Sequence, residues 1–323
     1  MKAQILTTAS TIATATLLTA FAGVATAADP QLLNLVMPDA KVLAGINVEQ
    51  AKGTQFGQYV LNQMQSQEAD MRQLIALTGF DPTRDVRELL VATTGGAGSH
   101  TGLALARGYF DAAKITAAAT QAGAVTEEYN GVTILKDPKK TAGIAFLDAT
   151  TVVAGDIPSV KGAIDRQKTA QSLPAAVMVK VNQWSNAQDA WAISTVPPTS
   201  LAPAKAINSS KEPNPMAATF QNVQQAAGGV KFGDLVTFSG EAVADSAASA
   251  TSMADVLRLL VNLAQMQAGQ DPRVATLAKS VVIAASGDTL KVSLSLPQEQ
   301  FQQLLAQAQG KKSGARTRIR SRQ

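Results

Sequence analysis

The residue best suited to acid–base chemistry is His100, the one histidine in the sequence. It lies in the glycine-rich stretch 95–102, where an imidazole and neighbouring hydroxyls could exchange a proton or bind an anion. A phosphate-binding loop needs a lysine that this stretch lacks, and a dinucleotide loop must open a helix, whereas this one leads into a predicted strand. We therefore interpret the stretch as a hairpin connection with an exposed histidine.

The sequence gives little support for nucleophilic catalysis or for a metal site. The chain contains no cysteine, which excludes thiolate zinc sites, iron–sulfur clusters, cysteine nucleophiles and a lipid-modified cysteine. There is no G-x-S-x-G or S-x-x-K motif and no calcium-binding loop of the D-x-[DN]-x-[DN]-G type. The sequence predicts no catalytic residue, no cofactor and no metal.

Carboxylates are the remaining candidates for catalysis. Two acids at the correct separation can hydrolyse a glycosidic bond, and their spacing in the sequence does not reveal that separation. Glu127, Glu128, Asp148 and Asp156 are candidates, although each falls beside a predicted turn or strand end, where solvated acids are common. A carboxylate-dependent hydrolase is therefore an alternative function.

The C-terminal tail, residues 310–323, concentrates positive charge. Its basic residues are Lys311, Lys312, Arg316, Arg318, Arg320 and Arg322, with no acid among them. These six charges exceed the formal net charge of +4, so the rest of the chain is mildly acidic and the pI of 9.2 is a property of the tail. The tail is either a solvated, disordered terminus or an arm that binds an anionic envelope component. Binding of the second kind weakens steeply with salt.

The N-terminus predicts the compartment. Lys2 precedes a short apolar run that ends at Ala25-Thr26-Ala27, which is the pattern of a signal peptide cleaved before Ala28. We expect an exported protein, periplasmic or extracellular, with no transmembrane segment in the mature chain. Aromatic residues make up only 4% of the sequence, which disfavours nucleic acid as a partner because few stacking platforms are available.

The first half of the mature chain, residues 28–170, shows strands alternating with helices. Helices are predicted to begin near Thr54, Asp111 and Pro158, where capping residues precede apolar residues at helical spacing. The predicted strands cover residues 42–48, 85–94, 101–109, 125–136 and 142–154.

The second half, residues 171–309, repeats a similar order. Strands are predicted over residues 191–196 and 235–244, and a hairpin over 281–296 turns at Gly287-Asp288. Helices are predicted around Phe220 and Val223, behind the capping-box spacing of Ser252 and Asp255, and from Pro297. A proline-rich insertion follows the first strand. Trp184 and Trp191 lie on strand-like segments and are interpreted as core residues.

The matching order predicts an α+β fold of two related halves, each a mostly antiparallel sheet covered by helices, that arose by internal duplication. Chance alternation of elements in an α+β chain is the alternative explanation. The antiparallel arrangement is favoured because the strands often come as adjacent hairpins.

Three segments together resemble a class of exported bacterial α+β proteins that has no assigned activity. They are Met37-Pro38-Asp39-Ala40 with Gly45-Ile46-Asn47-Val48 and Phe56-Gly57; residues 151–156 with Ala163-Ile164-Asp165-Arg166; and residues 291–297. The resemblance implies export and α+β architecture and transfers no catalytic residue. The function expected from the sequence is a non-catalytic binding or structural protein of the cell envelope. A second alternative is an assembly or chaperone-like factor with an apolar groove between its halves.

Overall fold

The computed structural model describes residues 27–59, 61, 75–95, 101–139, 141–169, 173–197, 220–267 and 272–303. Within them, twelve strands form an antiparallel sheet in the order β11-β12-β10-β9-β8-β1-β2-β3-β7-β6-β5-β4. The strands are β1 Val42–Asn47, β2 Val86–Thr93, β3 Gly102–Gly108, β4 Val125–Tyr129, β5 Val132–Lys136, β6 Ala142–Phe146, β7 Thr151–Asp156, β8 Ala190–Ser194, β9 Val223–Lys231, β10 Leu235–Ala244, β11 Val281–Ser286 and β12 Thr289–Pro297.

Helices begin where the sequence supplies caps. The side chains of Asp29, Asp81 and Asp111 each accept a hydrogen bond from a backbone N–H of the helix that follows. The helices are α1 Pro30–Leu35, α2 Val48–Lys52, α3 Pro82–Asp85, α4 Ala112–Gln121, α5 Ile157–Thr169, α6 Ala175–Ala187, α7 Ala247–Gln267 and α8 Pro272–Lys279. Residues 55–59, 61, 75–78 and 298–303 are also helical. Within the described ranges, no helix has the length and hydropathy required to cross a membrane.

The centre of the sheet joins the two halves of the chain. Strand β1 pairs with β8, and Gly45 lies directly opposite Trp191. Outward from this pair, one side runs β1-β2-β3-β7-β6-β5-β4 and the other runs β8-β9-β10-β12-β11. The mixed helix and strand content and the large antiparallel sheet therefore agree with the α+β prediction.

The main core lies on one side of the sheet, which we call the helix-packed face. Helices α1, α5 and α6 pack there against strand residues that share this face in the register. The strand residues are Leu43, Leu90, Leu103, Leu105, Ile134, Val153 and Trp191, and the helix residues include Leu32, Ile164, Val181 and Trp184. Helix α6 follows the predicted boundary at residue 170 and yet packs into this core with residues of the first half.

The opposite side carries an unbroken line of small or apolar residues, one from each of eleven neighbouring strands. We call this line the apolar row and this side the row face. From β5 to β11 its members are Leu135, Ile144, Ala154, Ala104, Val91, Ala44, Ala192, Gly228, Gly240, Val292 and Ile283. Directly opposed residues point to the same side, so the row crosses about 45–50 Å of sheet.

Helix α7 closes the β11 end of the row face. Ala250, Met253 and Ala254 are fully buried and form a second core with Leu290, while Val292 and Ile283 of the apolar row pack against it. The helix begins at Ala247, and the Ser246 hydroxyl accepts a hydrogen bond from the Ser249 N–H. The capping box predicted at Ser252 is therefore wrong, because those residues lie one turn inside the helix.

Two predicted long strands are in fact hairpins. Residues 125–136 divide at Asn130-Gly131, where both residues have positive φ (52° and 83°) and allow the tight turn between β4 and β5. Residues 142–154 divide between β6 and β7 at the turn 147–150, where Asp148 accepts a hydrogen bond from the Thr150 N–H. The predicted turn between Lys136 and Ala142 is confirmed.

Two further predictions are wrong. The helix expected around Phe220 and Val223 is a single 3-10 turn followed by strand β9, because β9 pairs on both sides with β8 and β10. Trp184 lies on helix α6 and not on a strand, although it is buried as expected. In both places the pairing and packing of neighbouring elements outweigh local propensity.

Candidate functional site

The middle of the row face is the most unusual surface of the described chain. Val91 is 49% exposed, Ile144 43% and Leu89, next to the row on β2, 39%. Ala104 and Ala192 are exposed as well. An antiparallel sheet that faces water on one side ordinarily alternates apolar and polar residues, but β2 carries Leu90 and Ala92 inward and Leu89 and Val91 outward. The strand is therefore built for burial on both sides.

In the second half, strands β10 and β12 show the ordinary alternation of apolar and polar residues, with the polar ones on the same side of the sheet as the helix-packed face. There β10 presents Thr237, Ser239 and Glu241, and β12 presents Lys291, Ser293 and Ser295. Glu241 forms an ion pair with Lys180 of helix α6. Because the residues of β10 and β12 are polar here, this part of the sheet is stable in water without a partner, which separates it from the row face.

A groove of about 900 Å³ runs between α4 and the β5–β7 end of the row face. Its floor includes Leu135, Ile144 and Ala154 of the apolar row, and its helix wall includes Ile115 and Ala119. The residues 137–139 form one rim. A volume of this size lies within the range of small-ligand sites, and the lining is mostly apolar.

The sequence of α4 explains why the groove stays open. The helix consists mainly of alanine, with Ile115 as its one large apolar residue, and none of its residues, all of which the structure describes, is buried. Its N-terminus is held by the Asp111 cap and by Phe110, whose ring lies 5.5 Å from that of Phe80 and 6.1 Å from that of Phe146. Gly123, with φ of +97°, ends it. The helix is thus anchored at its ends and does not fill the space beneath it.

Two of the four candidate acids, Glu127 and Glu128, lie on β4. Glu127 accepts hydrogen bonds from Lys136 and Lys161, which lower its pKa to about 2. Glu128 accepts a hydrogen bond from the Thr133 hydroxyl. Glu127 is therefore a structural ion-pair partner that fastens α5 to the β4–β5 hairpin.

The other two acids support turns. Burial acts to raise the pKa of Asp156, but hydrogen bonds from Gly102 and Ser159 outweigh it and the pKa is lowered. Burial likewise opposes the hydrogen bonds from Thr150, which nevertheless lower the pKa of Asp148. A general acid needs a raised pKa, so neither carboxyl has the property that glycoside hydrolysis asks of its acid.

Among the carboxyls that the structure describes, the one whose pKa is raised is Glu88, which sequence reasoning missed. Burial is the main cause, and a hydrogen bond from the Asp29 N–H acts against it. Arg107 lies nearby and donates to Asp29 through Nε at 2.7 Å. The sequence offered one signal for this cluster: a glutamate two positions from Val86 and from Leu90, on the same side of a strand whose later residues are apolar on both sides.

The remaining predicted features lie partly outside the described residues. Outside them lie His100, residues 1–26 of the predicted signal peptide, and the tail residues Lys311, Lys312, Arg316, Arg318, Arg320 and Arg322. Trp191 is buried in the main core. In the part of the chain that the structure describes, no group of three or more histidine or acidic residues could hold a metal ion.

The groove also differs in position from the predicted one. It lies within the first half, between α4 and strands β5–β7, and not between the two halves. The row face as a whole is not visible in the sequence, because each of its residues comes from a different strand. The signal that could have indicated it is the run Leu89-Leu90-Val91-Ala92, in which neither side of the strand is polar.

Comparison with known proteins yields a fold and no more. No family model matches the chain, and no curated protein matches it. Among solved structures, crystal forms III, I and IV of TP0453 superpose with TM-scores of 0.53, 0.50 and 0.50 at 10% sequence identity. They cover 87% of this chain and 98%, 98% and 97% of their own. At this identity the likeness extends to the arrangement of helices and sheet.

Proposed function

We propose that this chain is an exported, non-catalytic binding protein of the cell envelope that holds an apolar ligand on the row face. The observation that carries the proposal is the apolar row, whose middle is exposed while its β11 end packs against the core formed by α7. The groove beside α4 is the part of this face best shaped to enclose a ligand.

The energetics favour an apolar occupant. Covering a half-exposed Leu, Val or Ile side chain stabilises a complex by about 1 kcal/mol. A ligand that extends from the groove along the row would cover three such side chains, Ile144, Val91 and Leu89. The small residues of the row and of α4 allow close approach of an extended ligand.

Export is part of the proposal and rests on the N-terminal sequence. The cleavage motif ends at Ala27, which is exposed, and the next residue, Ala28, belongs to the main core. The absence of cysteine agrees with a core large enough to fold without disulfides.

We also propose that the two halves arose by duplication. The support is topological. On each side of the β1–β8 pair, the first three strands of that half lie in chain order, β1-β2-β3 on one side and β8-β9-β10 on the other. The next strand outward is the last strand of the half, β7 or β12, and the strand that precedes it in the chain, β6 or β11, comes after it. On both sides a helix follows the third strand and lies on the row face, namely α4 after β3 and α7 after β10.

The function is tested by titrating the purified protein with a neutral apolar fluorophore, N-phenyl-1-naphthylamine. Ile144→Lys places a charge on the groove floor and should weaken binding at least tenfold. The matched control is Val282→Lys, since Val282 is 62% exposed on a strand of the same sheet but on the opposite side. Ala119→Leu should also weaken binding, because it fills the groove from the helix wall. Equal affinity for wild type and Ile144→Lys would refute the site.

The alternative function, an assembly or chaperone-like factor, uses the same surface but binds a different ligand. Its ligand is an apolar polypeptide segment, which would use the full row and not only the groove. Competition between the fluorophore and an extended apolar peptide separates the two. Val91→Lys, far from α4, should abolish peptide binding and leave fluorophore binding in the groove nearly unchanged.

A further inference from the structure

The residues around the predicted cleavage position form a compact cluster. Ala27 is exposed, whereas Ala28 is only 5% exposed and packs in the main core. The next residue, Asp29, donates its backbone N–H to Glu88 Oε1 at 3.0 Å. The chain thus enters the fold at Ala28, and its first polar contact is with a carboxylate on β2.

The cluster has more carboxylates than cations. Arg107 uses Nε for Asp29 Oδ2 at 2.7 Å and its other nitrogens for the hydroxyls of Thr150 and Thr151 and the side chain of Gln31. Asn47, opposite Glu88 on β1, is uncharged. Among the residues that the structure describes, Glu88 forms no ion pair. One cation is therefore missing from a site that is partly withdrawn from water.

Cleavage before Ala28 creates a cation at this place. Hydrolysis of the Ala27–Ala28 peptide bond consumes one water and leaves a carboxylate on Ala27 and an ammonium on Ala28. The nitrogen of Ala28 is about 3–4 Å from that of Asp29, which already contacts Glu88. Once it is terminal, it can rotate toward the carboxylate.

We propose that Glu88 is the acceptor of the mature N-terminus, so that processing at Ala27–Ala28 completes an ion pair which the uncleaved chain lacks. The inference rests on the proposed export. It extends that proposal by assigning a residue that senses cleavage: in the precursor, a neutral peptide N–H occupies the place of the ammonium.

Because Glu88 is partly buried, its pairing with the α-ammonium should affect the stability of the fold. A carboxylate partly withdrawn from water is costly when unpaired, and the raised pKa of Glu88 reflects that cost. An α-ammonium beside it restores the balance of two acids and two cations. The pairing also raises the pKa of the α-amino group above its usual value of about 8.

The raised pKa of the α-amino group fixes how the stability of the mature chain should depend on pH. A group whose pKa is higher in the folded state contributes stability below its unfolded value and loses it as the pH rises through the folded value. The advantage of the mature terminus should therefore be present at pH 7 and disappear above the raised pKa of the Ala28 amine. The charged groups facing that amine are Glu88, Asp29 and Arg107.

The experiment compares three full chains: one beginning at Ala28, one beginning at Ala27, and one beginning at Nα-acetylated Ala28. Thermal unfolding is followed from pH 6 to pH 10, and the α-amino pKa is measured by NMR. The Ala28 chain should melt about 2–4 °C above the other two at pH 7, with the difference gone at high pH. Glu88→Gln should remove the difference, while Glu128→Gln on exposed β4 should preserve it.

Two results would overturn the inference. One is an equal melting temperature and pH profile for the free and acetylated Ala28 chains, a comparison that retains Glu88 and so does not depend on a variant that folds. The other is an exported protein whose intact mass corresponds to an N-terminus other than Ala28. Neither measurement involves the groove, so apolar-ligand binding and N-terminal pairing can fail separately.

Discussion

Helices α4 and α7 occupy corresponding places in the strand order but close the sheet to very different extents. Each follows the third strand outward from the β1–β8 pair, and each lies on the row face. The 21 residues of α7 bury Ala250, Met253 and Ala254 completely, whereas the 10 residues of α4 bury none. The same position in the fold is a core on one side and a groove on the other.

The difference arises from side-chain size and helix length. Helix α7 is about 32 Å long and directs Met253 and Leu257 into the sheet, while α4 is about 15 Å long and offers alanines. Alanine makes a stable helix but fills little volume. Whether a helix seals a sheet or leaves a binding surface is therefore decided by few residues.

The largest expected effect tests whether side chains of α7 stabilise a core to an extent that those of α4 do not. Met253→Ala should lower the free energy of unfolding by about 2–4 kcal/mol, because it removes a fully buried side chain and leaves a cavity. Ile115→Ala in α4 should cost less than about 1 kcal/mol, since that side chain remains partly in water. Urea unfolding measures both. Similar costs at the two sites would contradict the distinction between core and groove.

A pair of glycines sharpens the comparison between the two sides of the sheet. A Cβ on Gly45, on the helix-packed face, would lie 2.7 Å from the Trp191 ring, so Gly45→Ala should cost about 1–3 kcal/mol through overpacking. A Cβ on Gly240, in the apolar row, would meet nothing closer than 4.0 Å. Gly240→Ala should be neutral or stabilise by roughly 0.5–1 kcal/mol, because alanine loses less entropy in a strand. Denaturant midpoints that shift alike would show that both sides are equally packed.

The smallest effect concerns how α5 is held on the helix-packed face. With a pKa lowered to about 2, the ion pairs of Glu127 are fully present above its unfolded pKa near 4.3 and are lost as the pH falls toward 2. Lys161→Met should raise the pKa of Glu127 toward its usual value, as measured by NMR titration. Lys168→Met on the same helix, which contacts the Asn130 carbonyl, should leave it unchanged. Since Glu127 and both of its lysine partners remain partly in water, the accompanying change in stability should be slight.

Sequence reasoning located most elements of the sheet and little of the site. Strands β1, β2, β3 and β10 and the Gly287 hairpin could be predicted because apolar alternation and turn glycines are local signals. Strand β9 could not, because its sequence of Gln, Ala and Gly becomes a strand only between β8 and β10. Helix α6 was missed for a similar reason: Val177, Val181 and Trp184 form a stripe that packs into the main core, and most residues of that core come from the other half of the chain.

What the amino-acid sequence determined by itself was local: the cleavage pattern before Ala28, the capped start of α4, the turn glycines and the absence of thiol chemistry. Only the tertiary structure decided that eleven strands align one small or apolar residue each into a single row, and that Asp29 meets Glu88 and Arg107. The physical reason is register. Which side chains share a face across a sheet depends on pairings between residues far apart in the chain, and no local pattern specifies them.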